Sequence, residues 1–209
     1  MNTLYTLSAV VIASASTSVL AGISTYTDAS SQISSITNSA DFNGLTNFQS
    51  LYEYNEDGLE VSIDRSYFSW NPPGFDGSEM FYAGTGSLDL VEISLGGSDF
   101  ADIDMQVSSG WLENGPATMY LWVQAYQDGN LVQEFDIDAI GGQYIGLQGG
   151  GFDQLFIGSY VTAEVRDLHD ASQRNAIAID NIRAGTVPAP GTLAIPAMLL
   201  CGLRPKRAR

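Results

Sequence analysis

The sequence predicts an all-β protein, built as an antiparallel β-sandwich or jelly roll. Three observations favour this fold class. Short runs of alternating apolar and polar residues follow one another from residue 41 to residue 183, and Gly, Asn, Asp or Pro separates them about every 8–12 residues. No window carries the long apolar stripe of an amphipathic helix. The chain also contains 22 glycines, which disfavour a helical bundle because glycine weakens helix interiors.

The strand candidates share this alternation and are bounded by turn residues. They are 59–63, 88–95, 100–107, 118–126, 130–137, 152–160, 161–167 and 175–183. We expect about eight to eleven strands, which is typical of sandwiches of this size. The Ser/Thr-rich residues 22–40 carry little apolar mass and predict a flexible lead-in or one weak edge strand.

Length and charge predict one body with two processed ends. The 209 residues divide into a signal peptide (1–21), the lead-in (22–40), a β-sandwich domain (41–186) and a C-terminal tail (187–209). Residues 22–186 hold all 24 acidic residues and only four arginines, a net charge of −20. Such a field repels nucleic acid and anionic lipid. The single cysteine, Cys201, lies in the tail, so the body forms no internal disulfide.

The N-terminal segment predicts export. Residues 4–21 are uncharged, apolar and rich in small residues, and they end in Val19-Leu20-Ala21. This pattern is typical of a secretory signal peptide that signal peptidase cuts after Ala21.

The strand candidate 118–126 is the most aromatic one. Its odd-numbered residues are Met119, Leu121, Val123 and Ala125, and its even-numbered ones include Tyr120, Trp122, Gln124 and Tyr126. The two sets face opposite sides of a strand. Tyr120, Trp122 and Tyr126 either fill the core or form a ladder on which sugar rings stack. We favour the core, because one face must be buried and large aromatic side chains pack well there.

Two motifs at the ends of the body resemble carbohydrate-binding-like jelly rolls. Asp41-Phe42-Asn43-Gly44-Leu45 opens the body, and an apolar strand containing Asp180-Asn181 closes it. The resemblance implies that the first and last strands are neighbours, with Asp41 beside Asp180. Two converging carboxylates suit a hard cation, so we predict a structural calcium site at these residues.

None of the other motifs favours a chemical function over an ordinary structural role. The loop 70–77 contains two prolines and two glycines and is either a binding loop or a self-packed excursion. The segment 148–156 is close to a calcium-binding β-helix nonapeptide but occurs once, so we interpret it as a glycine-rich hairpin that enters a strand. His169 is the only histidine, which excludes zinc sites with two or three histidines. We interpret the pairs Asp102/Asp104 and Asp136/Asp138 as parts of a solvated strand face rather than as a catalytic pair.

The tail combines three features in a fixed order. Pro188-Ala189-Pro190-Gly191 comes first, an apolar run over 193–203 follows, and the basic residues 204–209 end the chain. This order resembles the PEP-CTERM sorting tail of bacterial surface proteins, with Ala189 in place of the usual Glu. The resemblance implies transient membrane contact and processing by an exosortase-like enzyme.

These features predict a non-enzymatic protein exported to the cell envelope, cell surface or extracellular matrix of a bacterium. The alternative is a carbohydrate-binding jelly-roll module that binds extracellular polysaccharide through Tyr120, Trp122 and Tyr126. A secreted glycan-active enzyme is the third and least favoured hypothesis.

Overall fold

A computed structural model describes residues 22–46, 48–70, 79–83, 90–109 and 118–187. The predicted signal peptide, the sorting motif Pro188-Ala189-Pro190-Gly191 and residues 71–77 of the proline-glycine loop lie outside these ranges. The described residues form thirteen strands, one short α-helix and one 3₁₀ turn. None of their helices is long and apolar enough to span a membrane.

The strands follow one another with short connections, and their bounds are as follows. They are β1 (Ser24–Asp28), β2 (Asn38–Ala40), β3 (Ser50–Glu56), β4 (Leu59–Trp70), β5 (Met80–Ala83), β6 (Val91–Ser94), β7 (Phe100–Ser109), β8 (Thr118–Gln127), β9 (Asn130–Ile140), β10 (Tyr144–Phe152), β11 (Gln154–Tyr160), β12 (Arg174–Asn175) and β13 (Ile177–Thr186). The helix α1 spans Ala163–Asp167, and the 3₁₀ turn spans Ala171–Gln173.

All strand pairs are antiparallel and build two layers that share β4. We call β1-β10-β7-β13-β5 the first sheet, with β2 beside β13. The second sheet is β3-β4-β6-β11-β8-β9, with β12 beside β11. Residues 60–62 of β4 pair with β6, whereas residues 68–70 pair with β5. The long strand β4 therefore passes from one layer into the other, and the predicted β-sandwich is confirmed.

The structure corrects our interpretation of β8. Met119, Leu121, Val123 and Ala125 are at most 1% exposed and pack in the core, whereas the aromatic residues lie on the outer face. The register of the neighbouring strand explains this choice. Tyr120 and Trp122 pair with Asp138 and Asp136 of β9, so burying the aromatic face would also bury carboxylates at a large cost in free energy.

A hairpin turn at Asp128-Gly129 joins β8 to β9, and a bulge beside it sets their register. Both residues have positive φ, 51° and 73°. This is the type I′ geometry that an Asp-Gly pair favours between two strands. The pairing that starts at the turn, with Tyr126 opposite Leu131, shifts by one residue at Ala125, which pairs with Gln133. This bulge aligns Phe135, Ile137 and Ala139 with the aliphatic side of β8 and so decides which side of the hairpin enters the core.

One predicted strand is wrong. The segment 161–167 contains helix α1 instead. Thr162 is its N-cap, with an extended backbone and a hydroxyl that accepts a hydrogen bond from the Val165 amide at 3.3 Å. A capping threonine of this kind satisfies an amide that a helix start leaves unpaired, and this local bond outweighs the β-branched residues of the segment.

The N-terminal residues 22–40 contain two strands and lie on the first sheet. Tyr26 of β1 crosses Gly146 of β10, where a Cβ atom would stand 2.2 Å from the tyrosine ring. Ser24 of β1 is in register with Gln148, Gln148 with Asp102, and Asp102 with Gly185 near the end of β13. The start of β1 and the end of β13 therefore lie at the same end of the sandwich.

Candidate functional site

The outer face of the second sheet brings the predicted aromatic residues together in register. We call Tyr120, Trp122, Gln124 and Tyr126 of β8, with Gln154 and Phe156 of β11, the aromatic face. Strand pairing places Phe156 beside Gln124 and Gln154 beside Tyr126. All six side chains are half-buried.

The segment 161–175 covers one half of the aromatic face. The His169 ring stacks on the Trp122 indole, with ring centroids 4.0 Å apart and planes 12° from parallel. The Nε2 atom of His169 lies 3.3 Å from Asp136 Oδ1. The indole nitrogen of Trp122 donates a hydrogen bond to Glu134 Oε2 at 3.3 Å. One face of the indole is thus occupied by the protein itself.

Arg166 of α1 fixes this covering segment. Its side chain is 10% exposed and forms ion pairs with Asp167 at 2.9 Å, with Asp136 at 3.6 Å and with Asp138. Its guanidinium lies 5.8 Å from the centre of the Tyr120 ring. Burial acts to lower the pKa of Arg166, but the hydrogen bonds to Asp167 and Asp138 raise it overall. The guanidinium stays charged and binds the segment to β9.

Arg174 lies over the same half of the face. Its Nε atom donates to the Tyr160 hydroxyl at 3.3 Å, and its guanidinium is 6.0 Å from the Trp122 ring centre. Gly158 of β11 pairs with Trp122. A Cβ atom at Gly158 would stand 2.7 Å from Leu90 Cδ2, so a glycine here lets a leucine and an arginine pack onto the sheet.

The other half of the aromatic face contains Tyr126 and Phe156. Their rings form an edge contact, with centroids 5.2 Å apart and planes at 74°. Gln154 Nε2 donates to Glu92 Oε1 at 3.2 Å. Two aromatic rings held by an edge contact, with amide and carboxylate groups beside them, form a surface that can stack a sugar ring and hydrogen-bond its hydroxyls.

The predicted carboxylate pairs are engaged in structural bonds. Asp104 is fully buried and accepts hydrogen bonds from Tyr26 at 2.7 Å, from Arg183 at 3.1 Å and from Ser31. Burial raises the pKa of the neighbouring Asp102. Its Oδ1 atom is buried without a hydrogen-bond partner. Asp136 and Asp138 bind Arg166, as described above. Asp136 and Asp138 lie on the exposed side of β9, as predicted, whereas Asp104 is buried and not solvated.

The two predicted calcium ligands lie on adjacent chain segments. Residues 38–40 pair with residues 182–184 of β13, and Asp41 follows directly. Asp180 is fully buried and accepts from the amide of Asn181 at 2.7 Å, just where β13 changes register. Asp41 accepts from the amide of Asn43 at 3.1 Å. The described residues contain no group of three or more His, Cys, Asp or Glu suited to a metal ion, so calcium there would depend on other oxygen ligands.

The glycine-rich segment 148–156 is not the hairpin that we predicted, because β10 pairs within the first sheet and β11 within the second. Gly149, Gly150 and Gly151 all have positive φ and lie where the β10–β7 register shifts. Asp153 separates β10 from β11. The glycines form an irregular strand end that only residues without a side chain adopt readily.

Sequence reasoning missed Phe156 and the carboxylates beside it. Phe156 lies in the strand candidate 152–160, but its neighbours depend on pairing between strands distant in the chain. Glu92 of β6 pairs with Phe156, although 64 positions separate them. A signal existed in the alternation Leu155-Phe156-Ile157, which places the aromatic residue opposite to two aliphatic ones.

Two multi-module proteins are among the solved structures similar to this chain. One is the CBM22-1 and GH10 modules of Clostridium thermocellum xylanase 10B complexed with xylohexaose, with a TM-score of 0.39 and 14% identity, covering 76% of this chain and 30% of that chain. Another is the CBM22-1–CBM22-2 tandem of Paenibacillus barcinonensis Xyn10C, with a TM-score of 0.42 and 16% identity, covering 77% of this chain and 47% of that chain. The chain thus spans less than half the length of both. No protein-family model matches it, and no curated protein does.

Proposed function

We propose that this chain is an exported, non-enzymatic β-sandwich of the jelly-roll type that binds an extracellular polysaccharide through the aromatic face. The observation that carries the proposal is the orientation of β8. Its aliphatic residues fill the core, so its aromatic residues stand on the outer surface, where a polymer can reach them.

Tyr126 and Phe156 are the central ligand-binding residues in this proposal. Tyr120 and Trp122, which the sequence also suggested, lie beneath Arg166 and His169. The uncovered rings offer an apolar surface to a sugar ring, and their edge contact fixes both rings before binding. Fixed rings lose little conformational entropy on binding, which favours affinity.

Export is supported by where the folded body begins and ends. The predicted cleavage after Ala21 precedes β1, which starts at Ser24, and the tail from residue 187 follows β13, which ends at Thr186. Removing both ends would leave every described strand intact. We therefore propose signal peptidase and an exosortase-like enzyme as processing partners, with the envelope or extracellular matrix as the destination. Mass spectrometry of the mature protein tests this, and intact termini would refute it.

The binding proposal is tested by pull-down with insoluble polysaccharides and by calorimetry with soluble oligosaccharides. We expect Tyr126→Ala and Phe156→Ala each to abolish measurable binding, because each removes one stacking surface. Tyr126→Phe keeps the ring and is expected to retain most of the affinity. Melting curves of all variants control for folding. Equal binding by wild type and Tyr126→Ala, or no binding to any polysaccharide, would overturn the proposal.

A structural calcium site at Asp41 and Asp180 is a separate proposal. It is supported by the pairing of β2 with β13, which brings the two segments together. Calcium bound by the two carboxylates would stabilise the junction of these strands.

A further inference from the structure

The uncovered half of the aromatic face is flanked by carboxylates in register. One row runs across all six strands of the second sheet, each residue paired with the next. It consists of Glu134, Gln124, Phe156, Glu92, Ser62 and Glu53. The adjacent row consists of Leu131, Tyr126, Gln154, Ser94, Glu60 and Asn55. Four carboxylates and no cation occupy these twelve positions, so this half of the face is negative.

The carboxylates stand at intervals along the path of a polymer. Glu134, Glu92 and Glu53 share one row with Phe156. Neighbouring strands lie about 4.8 Å apart, so the row spans roughly 24 Å over its five strand spacings. Glu134, Glu53 and Glu60 are exposed. The acidic residues therefore lie on both sides of Tyr126 and Phe156 across the sheet, over a length that suits a chain of several sugars.

The arginines of the covering segment do not offset this charge. Arg166 is bound to Asp138 and Asp167, and both it and Arg174 lie over the other half of the face. The body as a whole carries four arginines against 24 acids. Its field attracts cations and repels anionic polymers.

We propose that the ligand of the aromatic face is a cationic polysaccharide, an amino-sugar polymer with free ammonium groups. This inference rests on the proposed polysaccharide-binding function and names its ligand class. The sugar rings stack on Tyr126 and Phe156. Their ammonium groups donate charge-assisted hydrogen bonds to Glu92, Glu134 and the neighbouring carboxylates, which are stronger than neutral hydrogen bonds. A polyuronate would be repelled by the same residues, which gives the site its selectivity.

The test is calorimetry of the full chain with four matched probes at low ionic strength. The probes are a glucosamine hexamer, its fully N-acetylated form, a neutral xylose hexamer and a galacturonate hexamer. We expect the glucosamine hexamer to bind at least tenfold more tightly than the acetylated and neutral hexamers, and the galacturonate hexamer not to bind. Added salt should weaken the binding of the glucosamine hexamer, because it screens surface charges.

Variants separate the site from the general charge of the protein. Glu92→Gln and Glu134→Gln keep an acceptor for their present hydrogen-bond donors, and each is expected to weaken glucosamine-hexamer binding about fivefold. Asp28→Asn removes the same charge from β1, in the first sheet, and should leave binding unchanged. Tyr126→Ala should abolish it.

Each result has a distinct meaning. Equal affinity for the glucosamine and neutral hexamers, with Tyr126→Ala abolishing both, would overturn the cationic ligand and leave the proposed function standing. Equal losses in Asp28→Asn and Glu92→Gln would overturn the placement of the ammonium groups on this face. Failure of every hexamer and polymer to bind would overturn both proposals.

Discussion

Tyr26→Phe tests whether the N-terminal segment is held on the first sheet by a buried hydrogen bond. The Tyr26 hydroxyl donates to Asp104 Oδ2 at 2.7 Å, and Asp104 is fully buried. A hydrogen bond to a charged acceptor contributes about 1.5–3 kcal/mol. Asp104 keeps Ser31 and Arg183 as donors, so the loss stays within this range. At about 2–4 °C per kcal/mol for a domain of this size, we expect the Tm to fall by roughly 3–12 °C at pH 7.

The same substitution changes the alkaline stability in a predictable direction. Burial and then the hydrogen bond to Asp104 raise the pKa of Tyr26 well above its ordinary value of 10.0. The stabilising contribution is therefore complete below about pH 10 and is lost above it, because the unfolded chain releases the proton while the folded chain keeps it. The free energy of unfolding should decline by at most about 1.4 kcal/mol per pH unit there. Tyr26→Phe should remove this decline.

Urea denaturation between pH 7 and pH 11 measures both effects. Burial also raises the pKa of Tyr82, but that contribution is common to both proteins and cancels in the difference. Tyr52→Phe is the matched control, because its side chain is 68% exposed and the variant should follow wild type throughout. If Tyr26→Phe declines above pH 10 as steeply as wild type, the buried phenol does not control the alkaline transition and the reasoning fails.

Four further variants probe other parts of the fold. Leu121→Ala removes a fully buried side chain and should cost about 2–5 kcal/mol in urea denaturation; a near-zero cost would contradict the orientation of β8. Gly146→Ala places a Cβ atom 2.2 Å from the crossing tyrosine ring and should lower the Tm by displacing that ring; an unchanged Tm would contradict the contact. Arg166→Ala removes the partner of three carboxylates and should increase acrylamide quenching of Trp122 fluorescence; unchanged quenching would show that the covering segment stays in place without it. A calcium site predicts a higher Tm with calcium than with chelator, and Asp180→Ala should abolish the difference; equal melting temperatures of wild type would refute the site.

The fold class was predictable because strand alternation and turn residues are local signals. The Asp128-Gly129 turn is an example, since it marks the hairpin of β8 and β9. Helix α1 was missed because a single capping bond from Thr162 determines it, and the apolar pattern of its five residues does not distinguish a helix from a strand.

The composition of the candidate site was only partly predictable. The sequence identified Tyr120, Trp122 and Tyr126 as one face, because they alternate within one strand. The prediction that this face fills the core is wrong, because the choice of buried face depends on the carboxylates of β9 that lie opposite. The covering of Trp122 by His169, 47 positions later, depends on tertiary packing that no local pattern encodes.

Because β1 starts and β13 ends at the same end of the sandwich, that end of the body would face a membrane to which the chain is anchored. Ser24 and Gly185 lie in one row of the first sheet, separated by three strand spacings, which is roughly 14 Å. A leader before β1 and an apolar tail after β13 would therefore both leave the domain from this end of the sandwich, next to each other. Whichever of these two segments anchored the chain, the same end of the sandwich would face the bilayer.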